Sequence, residues 1–140
     1  MGGCALTLSR HELATTANGA YEVTGVVRDA VLASNVAEGL CVVFVPHTTA
    51  GLSITSFWDP KGHEDIHDDL SRLVPTRIDF KHQVDTPQDA AGHIKSVLVG
   101  VSLSLISSER KLLLGHSQGI FFHEFDGPRQ RQFYVKCSHG

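Results

Sequence analysis

Apolar residues along the chain recur with two periods. Val23, Val26, Val27, Ala30 and Val31 fall at i, i+3, i+4, i+7 and i+8, which predicts a helix with one buried stripe. Thr24 is its expected N-cap, with Val23 just outside the first turn, and Gly39 lies where the chain leaves it. Leu40 to Val45 is a continuous apolar run between Gly39 and Pro46, the pattern of a buried strand. Leu52 to Ser56 alternates, as a second strand would. Asp59-Pro60 supplies an N-cap followed by proline at the first helical position. Ile66, Leu70 and Leu73 form that helix's apolar stripe, and Pro75 ends it. Glu64, Asp65, Asp68 and Asp69 make its solvated face.

The remaining segments are shorter. Gly3 to Leu8 and Glu12 to Thr16 read as two strands around a bend. Arg77 to Gly92 is polar and reads as a loop, and His93 to Gly100 fits either a short helix or the start of a strand. Val101 to Ile106 alternates, and Ser107 to Arg110 makes a turn. Lys111 to Leu114, Ile120 to Phe125 and Gln132 to Cys137 read as three further strands, with Asp126-Gly127-Pro128-Arg129 turning the chain between the last two. Strands joined by tight turns around helical segments favour an antiparallel α+β sandwich over a parallel nucleotide-binding sheet.

Composition narrows the function. A length of 140 residues suits one domain, 1–140, and 41% hydrophobic with 19% charged residues suits a globular core. A net charge of −3 gives no global case for nucleic acid, and no apolar run reaches membrane-spanning length. Met1-Gly2-Gly3-Cys4 lacks a basic segment followed by an apolar one, so no secretory signal is expected. It has the opening of an acylation signal, but Leu6 stands where serine or threonine is needed. Cys4, Cys41 and Cys137 are widely spread without ligand spacing, which favours reduced thiols and a cytoplasmic protein.

Nine histidines carry most of the candidate chemistry. His47 follows a predicted strand in Pro46-His47-Thr48-Thr49-Ala50-Gly51, where small and hydroxylated neighbours leave room for a ligand and backbone N–H groups could cradle an anion. A strand-capping histidine bonded to a carbonyl fits that segment equally well. His82 and His93 flank a polar stretch, and with His47 they make three imidazoles able to hold a divalent transition metal; surface histidines are the simpler reading of the two. His63-Glu64-Asp65-Ile66-His67 matches the H-E-x-x-H zinc-protease helix motif, but no later helix offers a third ligand, so boundary histidines on an amphipathic helix are preferred. Gly115-His116-Ser117-Gln118-Gly119 joins two strands either as a plain hairpin or as a close-approach loop in which Gln118 both donates and accepts. Arg129 or Arg131 could hold a phosphate; solvated turn charges are the alternative. Neither a G-x-S-x-G elbow nor a P-loop is present.

Several segments in order resemble the YjbQ-like family: Val43-Phe44-Val45-Pro46-His47-Thr48-Thr49-Ala50, Asp59-Pro60, His93-Ile94-Lys95-Ser96 with Leu98 and Gly100, Leu112 to Gly115, Gln118-Gly119-Ile120, and Glu124-Phe125-Asp126-Gly127-Pro128-Arg129. The resemblance implies a two-sheet, mainly antiparallel β-sandwich with two helices, assembled as a homotrimer, with a histidine-lined pocket near the subunit boundary. It implies a divalent metal ion, zinc or magnesium, on His47, His82 and His93, with Gln118 close by. Departures surround that pocket: Thr55-Ser56-Phe57-Trp58 stands where the family shows asparagine and glutamate before Asp59, Gln83 where it has asparagine beside His82, and His116-Ser117 precede Gln118 where it has threonine and tryptophan.

By the same resemblance, the expected activity is that of secondary thiamine-phosphate synthases, which join a pyrimidine-methyl pyrophosphate to a thiazole phosphate and expel pyrophosphate. His47 and Gln118 would be catalytic, and Thr48, Thr49, Gln118 and Arg129 would bind phosphate. The partner is then a small phosphorylated metabolite, with neither nucleic acid nor membrane. A non-catalytic metal- or phosphometabolite-binding protein is the alternative, and an H-E-x-x-H zinc protease a distant one.

Overall fold

The computed structural model describes residues 7–140. The chain runs through β1 (Leu8–Ala14), β2 (Gly19–Glu22), α1 (Thr24–Ser34), β3 (Gly39–Phe44), β4 (Ala50–Ser56), α2 (Pro60–Leu73), α3 (Pro87–Val99), β5 (Ser102–Ser108), β6 (Lys111–Leu112), β7 (Gln118–Glu124) and β8 (Gln130–His139). Two antiparallel sheets result, one ordered β1-β8-β3-β5-β6 and the other β2-β7-β4. The core lies between them. Cys41 and Val43 of β3 and Phe133, Val135 and Cys137 of β8 face Leu52, Ile120 and Phe122, and Val27 and Val31 of α1 close one side. Cys41 and Cys137 sit opposite one another as free, buried thiols; burial, then the neighbouring Cys137 thiol, pushes the Cys41 thiol up to about 12. Cys4 lies outside the described residues.

Local signals placed α1, α2, β3, β4, β5, β7 and β8 close to where they occur, with instructive differences. Thr24 does not cap α1 with its side chain; Val23 holds the N-cap position. The Thr24 hydroxyl instead donates to Glu22 Oε2 (2.8 Å) and accepts the Ile120 N–H (2.8 Å), tying the helix to β7. Asn35, at φ 56°, ends the helix, and Gly39 opens β3. There a Cβ would collide with the Ser138 carbonyl oxygen, so close strand approach, not helix exit, requires glycine. The run Leu40 to Phe44 is buried on one face only: Leu40, Val42 and Phe44 point outward and are exposed.

Two further corrections concern whole elements. One uninterrupted strand, β1, replaces the two short strands around a bend, because every residue from Leu8 to Ala14 pairs with β8. The Gly3 to Leu8 strand otherwise lies outside the described residues. Three helices, not two, pack on the sheets. α3 begins inside the stretch read as a loop, where the Thr86 hydroxyl accepts the Asp89 N–H at 3.1 Å and Pro87 fills the first turn. Its inward face is Asp89, Ala90, Ala91, Gly92, Lys95 and Ser96, whereas Val97 and Leu98 point outward. That arrangement leaves no apolar stripe for a periodicity argument to find.

Candidate functional site

Asp89 and His93 stand one turn apart on α3 and share a face. His82, from the loop before the helix, folds back onto them. His82 Nε2 lies 3.2 Å, and His93 Nε2 3.1 Å, from the same Asp89 Oδ2. The two rings meet edge-on with centroids 5.1 Å apart. The three donor atoms lie within 4.8 Å of one another, and this is the one such group found among the described residues. Asp89 is buried, His93 half-buried and His82 exposed, so the group opens outward from the protein.

The proton positions in this group are constrained. His93 Nδ1 is 3.1 Å from the Thr48 carbonyl oxygen, which can only accept. Nδ1 therefore carries hydrogen, and in the neutral ring Nε2 presents a lone pair to Asp89 Oδ2. Two acceptors at 3.1 Å repel unless a proton or a metal ion lies between them. Two imidazole nitrogens and one carboxylate oxygen form a donor set suited to zinc and its transition-metal neighbours, and less to magnesium, which favours oxygen. The Thr48 carbonyl plays the part that outer partners of ligating histidines play, fixing tautomer and ring orientation.

A cavity of about 570 Å³ opens beside the group, lined by Arg77, Asp79, Phe80, Lys81, His82, Ala90, His93 and Ile94. Arg77 stacks on Phe80 (4.0 Å to the ring centroid) and pairs with Asp79 at 2.8 Å, leaving Lys81 as the cation in its lining with no ion pair among the described residues. Arg129 is held by Asp126 through Nη2–Oδ2 at 2.7 Å. That hydrogen bond, followed by the charges of Asp126, Asp85 and Asp89, raises its pKa.

The other sequence-predicted residues sit elsewhere. His47 is not in the His82–Asp89–His93 group; its Nε2 accepts the Gln132 N–H at 3.0 Å, and it lines a separate cavity of about 420 Å³ with Phe44, Thr48 and Val97. Burial, then the Arg131 charge, lowers its pKa. Thr48 is exposed and Thr49 buried. The Thr49 hydroxyl accepts from Arg131 Nη2 at 2.8 Å, so it is already engaged. Gln118 begins β7, at the end where Ser56 pairs, while Ala50 pairs with Glu124 at the other end. Six residues of strand put roughly 20 Å between Gln118 and the Thr48–Thr49 segment within one chain. Gln118 Oε1 accepts the Gly115 N–H at 2.7 Å. Beside it the departing residues collect in one patch: Phe57 stacks on Trp58 (4.8 Å), Trp58 faces His116 (5.7 Å) and Trp58 Nε1 donates to Ser117 Oγ (3.1 Å).

Sequence reasoning missed Asp89 and His123. Asp89 had a signal, its place three residues after Thr86 at a helix start. His123 had none, since its role depends on α2 crossing β7. His63 and His67 both face that strand: His63 packs on Phe121 (4.3 Å) and His67 Nε2 lies 2.9 Å from His123 Nδ1. His63 Nε2 is 2.7 Å from the Ser56 carbonyl oxygen. Both imidazoles of the H-E-x-x-H match are thus occupied in seating the helix, and Glu64 is exposed.

Two antiparallel sheets with three helices, and a histidine–aspartate group at the start of the third, define a small α+β sandwich protein with one polar, pocket-side cluster. The chain belongs to the UPF0047 protein YjbQ-like family, whose profile matches residues 9–140. It is 48% identical to a UPF0047 protein of Methanocaldococcus jannaschii over 82% of this chain and 81% of that one. A crystal structure of a YjbQ/UPF0047 family protein from Clostridium acetobutylicum superposes with a TM-score of 0.86 at 39% identity, covering 93% of this chain and 99% of that one. A YbjQ-like protein from Sulfolobus solfataricus reaches a TM-score of 0.89 at 25% identity, covering 95% and 96%.

Proposed function

We propose that this chain is a metal-dependent enzyme acting on small phosphorylated metabolites, with the thiamine-phosphate synthase type of transfer as its reaction. The observation that carries the reading is the convergence of His82, Asp89 and His93, whose donor atoms lie within 4.8 Å of one another beside the cavity. Asp89, His82 and His93 would hold a divalent ion of the zinc class, which when bound would stabilise negative charge gathering on a departing pyrophosphate. The chain's own groups do the rest. Thr48 orients His93, and Lys81 draws the phosphates toward the cavity. On this reading the protein is cytoplasmic and works as a homotrimer, in which Gln118 and His47 serve pockets shared between copies. The outward apolar side chains of Leu40, Val42 and Phe44 suit such an assembly. Among the described residues no helix is long and apolar enough to cross a membrane.

The test is to purify the protein, measure bound metal, and supply a pyrimidine-methyl pyrophosphate with a thiazole phosphate. Metal bound at one equivalent per chain, and product formation lost in His93→Gln and Asp89→Asn, are expected. Metal and phosphate binding without turnover would instead make the chain a non-catalytic binding protein. Metal content unchanged in both variants would remove the centre from these residues.

A further inference from the structure

A third cavity, of about 380 Å³, lies at the far edge of the five-stranded sheet, between α1 and the β5–β6 turn. Arg28 and Leu32, one helical turn apart, form one wall, and Arg110, Lys111 and Leu112 form the other. Three cations therefore ring an apolar floor. None of Arg28, Arg110 and Lys111 has an ion-pair partner among the described residues. Glu38, on the neighbouring loop, makes no ion pair with them; its Oε1 accepts the Ser108 hydroxyl and the Glu109 N–H, each at 3.0 Å.

The turn that presents Arg110 is itself costly. Glu109 and Arg110 both adopt left-handed backbone, at φ 52° and 63°. A two-residue hairpin of this kind is satisfied without strain by Asn-Gly, whereas glutamate and arginine are strained there. What these residues gain is placement. Arg110 Nη2 reaches the Leu32 carbonyl at 3.3 Å, and the Arg110 N–H is fixed by the Ala37 carbonyl at 3.0 Å. The guanidinium is thereby held at the cavity rim across from Arg28.

We propose that this groove binds a small amphiphilic carboxylate, its head between the guanidinium groups of Arg28 and Arg110 and its apolar body against Leu32 and Leu112. Guanidinium forks match a carboxylate in plane, Lys111 adds charge without geometric demand, and the two leucines exclude water from the ligand's body. The volume falls at the lower end of the range for ligand sites, which suits a short aliphatic or single-ring acid. The proposal is independent of the metal reading, because no residue is shared with the His82–Asp89–His93 group.

Octanoate, octylamine and acetate are the probes, titrated calorimetrically into the intact chain. Saturable octanoate binding is expected, with octylamine silent and acetate much weaker. Arg28→Gln, an exposed helix position, should weaken octanoate by about tenfold or more, as loss of one charge-assisted hydrogen bond does. Arg110→Gln should do the same, and Lys111→Gln provides a check should Arg110→Gln disturb its turn. Asp89→Asn should bind octanoate as the parent does. Absence of octanoate binding, equal binding of octylamine, or unchanged affinity in both Arg28→Gln and Lys111→Gln overturns the proposal. Acetate binding as tight as octanoate overturns its apolar half.

Discussion

His67 Nε2, on α2, lies 2.9 Å from His123 Nδ1, on β7, and His123 Nε2 in turn lies 2.6 Å from Ser53 Oγ on β4. A helix and two strands are thus joined through two imidazoles and a hydroxyl. The histidine rings also stack, with centroids 5.1 Å apart. α2 has no fully buried residue, so these polar contacts and the packing of His63 on Phe121 carry much of its attachment. One of the two facing nitrogens must accept, so the His67–His123 bond cannot survive if both rings are protonated. Burial, followed by the charges of His67 and His63, lowers the His123 pKa to about 4. Burial and the nearby Lys95 lower that of His67, with Asp68 opposing.

Stability should therefore fall on acidification. A histidine whose folded pKa lies below the unfolded value of 6.5 contributes fully above 6.5, and its contribution is lost as pH falls toward the folded value. His123 alone accounts for up to about 3 kcal/mol between pH 6.5 and 4. Chemical denaturation at half-unit pH steps should show that slope, and His123→Gln should flatten it. An equal slope in the variant would assign the acid sensitivity elsewhere.

The buried Arg131–Glu124 pair should be indispensable one partner at a time. Arg131 Nε donates to Glu124 Oε2 at 2.6 Å, Nη2 reaches Oε1, and both side chains are almost wholly buried. Burial works to raise the Glu124 pKa, but the Arg131 hydrogen bonds, the Asp126 N–H and the Thr15 hydroxyl hold it below the ordinary carboxylate range. Arg131→Met leaves a buried carboxylate unpaired and should cost about 3–5 kcal/mol in urea unfolding, and the double replacement with Glu124→Gln less than the sum. Additive losses would show the two are not coupled.

Metal binding should release a proton. If the cation between His93 Nε2 and Asp89 Oδ2 in the free chain is a proton, a zinc ion must displace it. Zinc titrations in buffers of different ionisation enthalpy should give apparent enthalpies that vary linearly with that enthalpy, with a slope near one proton. A zero slope would mean that no proton is displaced from between His93 Nε2 and Asp89 Oδ2.

The placement of α3 should control the site from behind. A Cβ at Gly92 would meet the Thr49 side chain at 3.2 Å and the Phe125 carbonyl oxygen at 3.3 Å. Gly92→Leu should therefore push the helix off β4, at about 1–3 kcal/mol, and weaken metal binding with every ligand intact. Gly62→Ala, at an open position on α2, should leave metal binding unchanged and slightly stabilise the helix. Parent-like metal affinity in Gly92→Leu would show the site tolerates displacement of its helix.

Local rules in the sequence determined the elements that obey them. The valine stripe of α1, the Asp59-Pro60 start of α2 and the alternation of β4 and β5 each follow from neighbours within a few residues, so they are legible without the fold. So was the resemblance that led to the family, because it rests on short segments in order. Tertiary structure alone decided which chemical groups meet. α3 is stabilised by packing small residues against β4, Thr49 and Phe125, which no apolar period announces. Without that helix Asp89 has no visible tie to His93, and His82 none to either. Likewise the H-E-x-x-H spacing correctly put His63 and His67 on one face, but only the crossing of α2 over β7 supplied His123. Side-chain encounters between distant segments depend on how helices settle on sheets, and that is fixed by packing over the whole core.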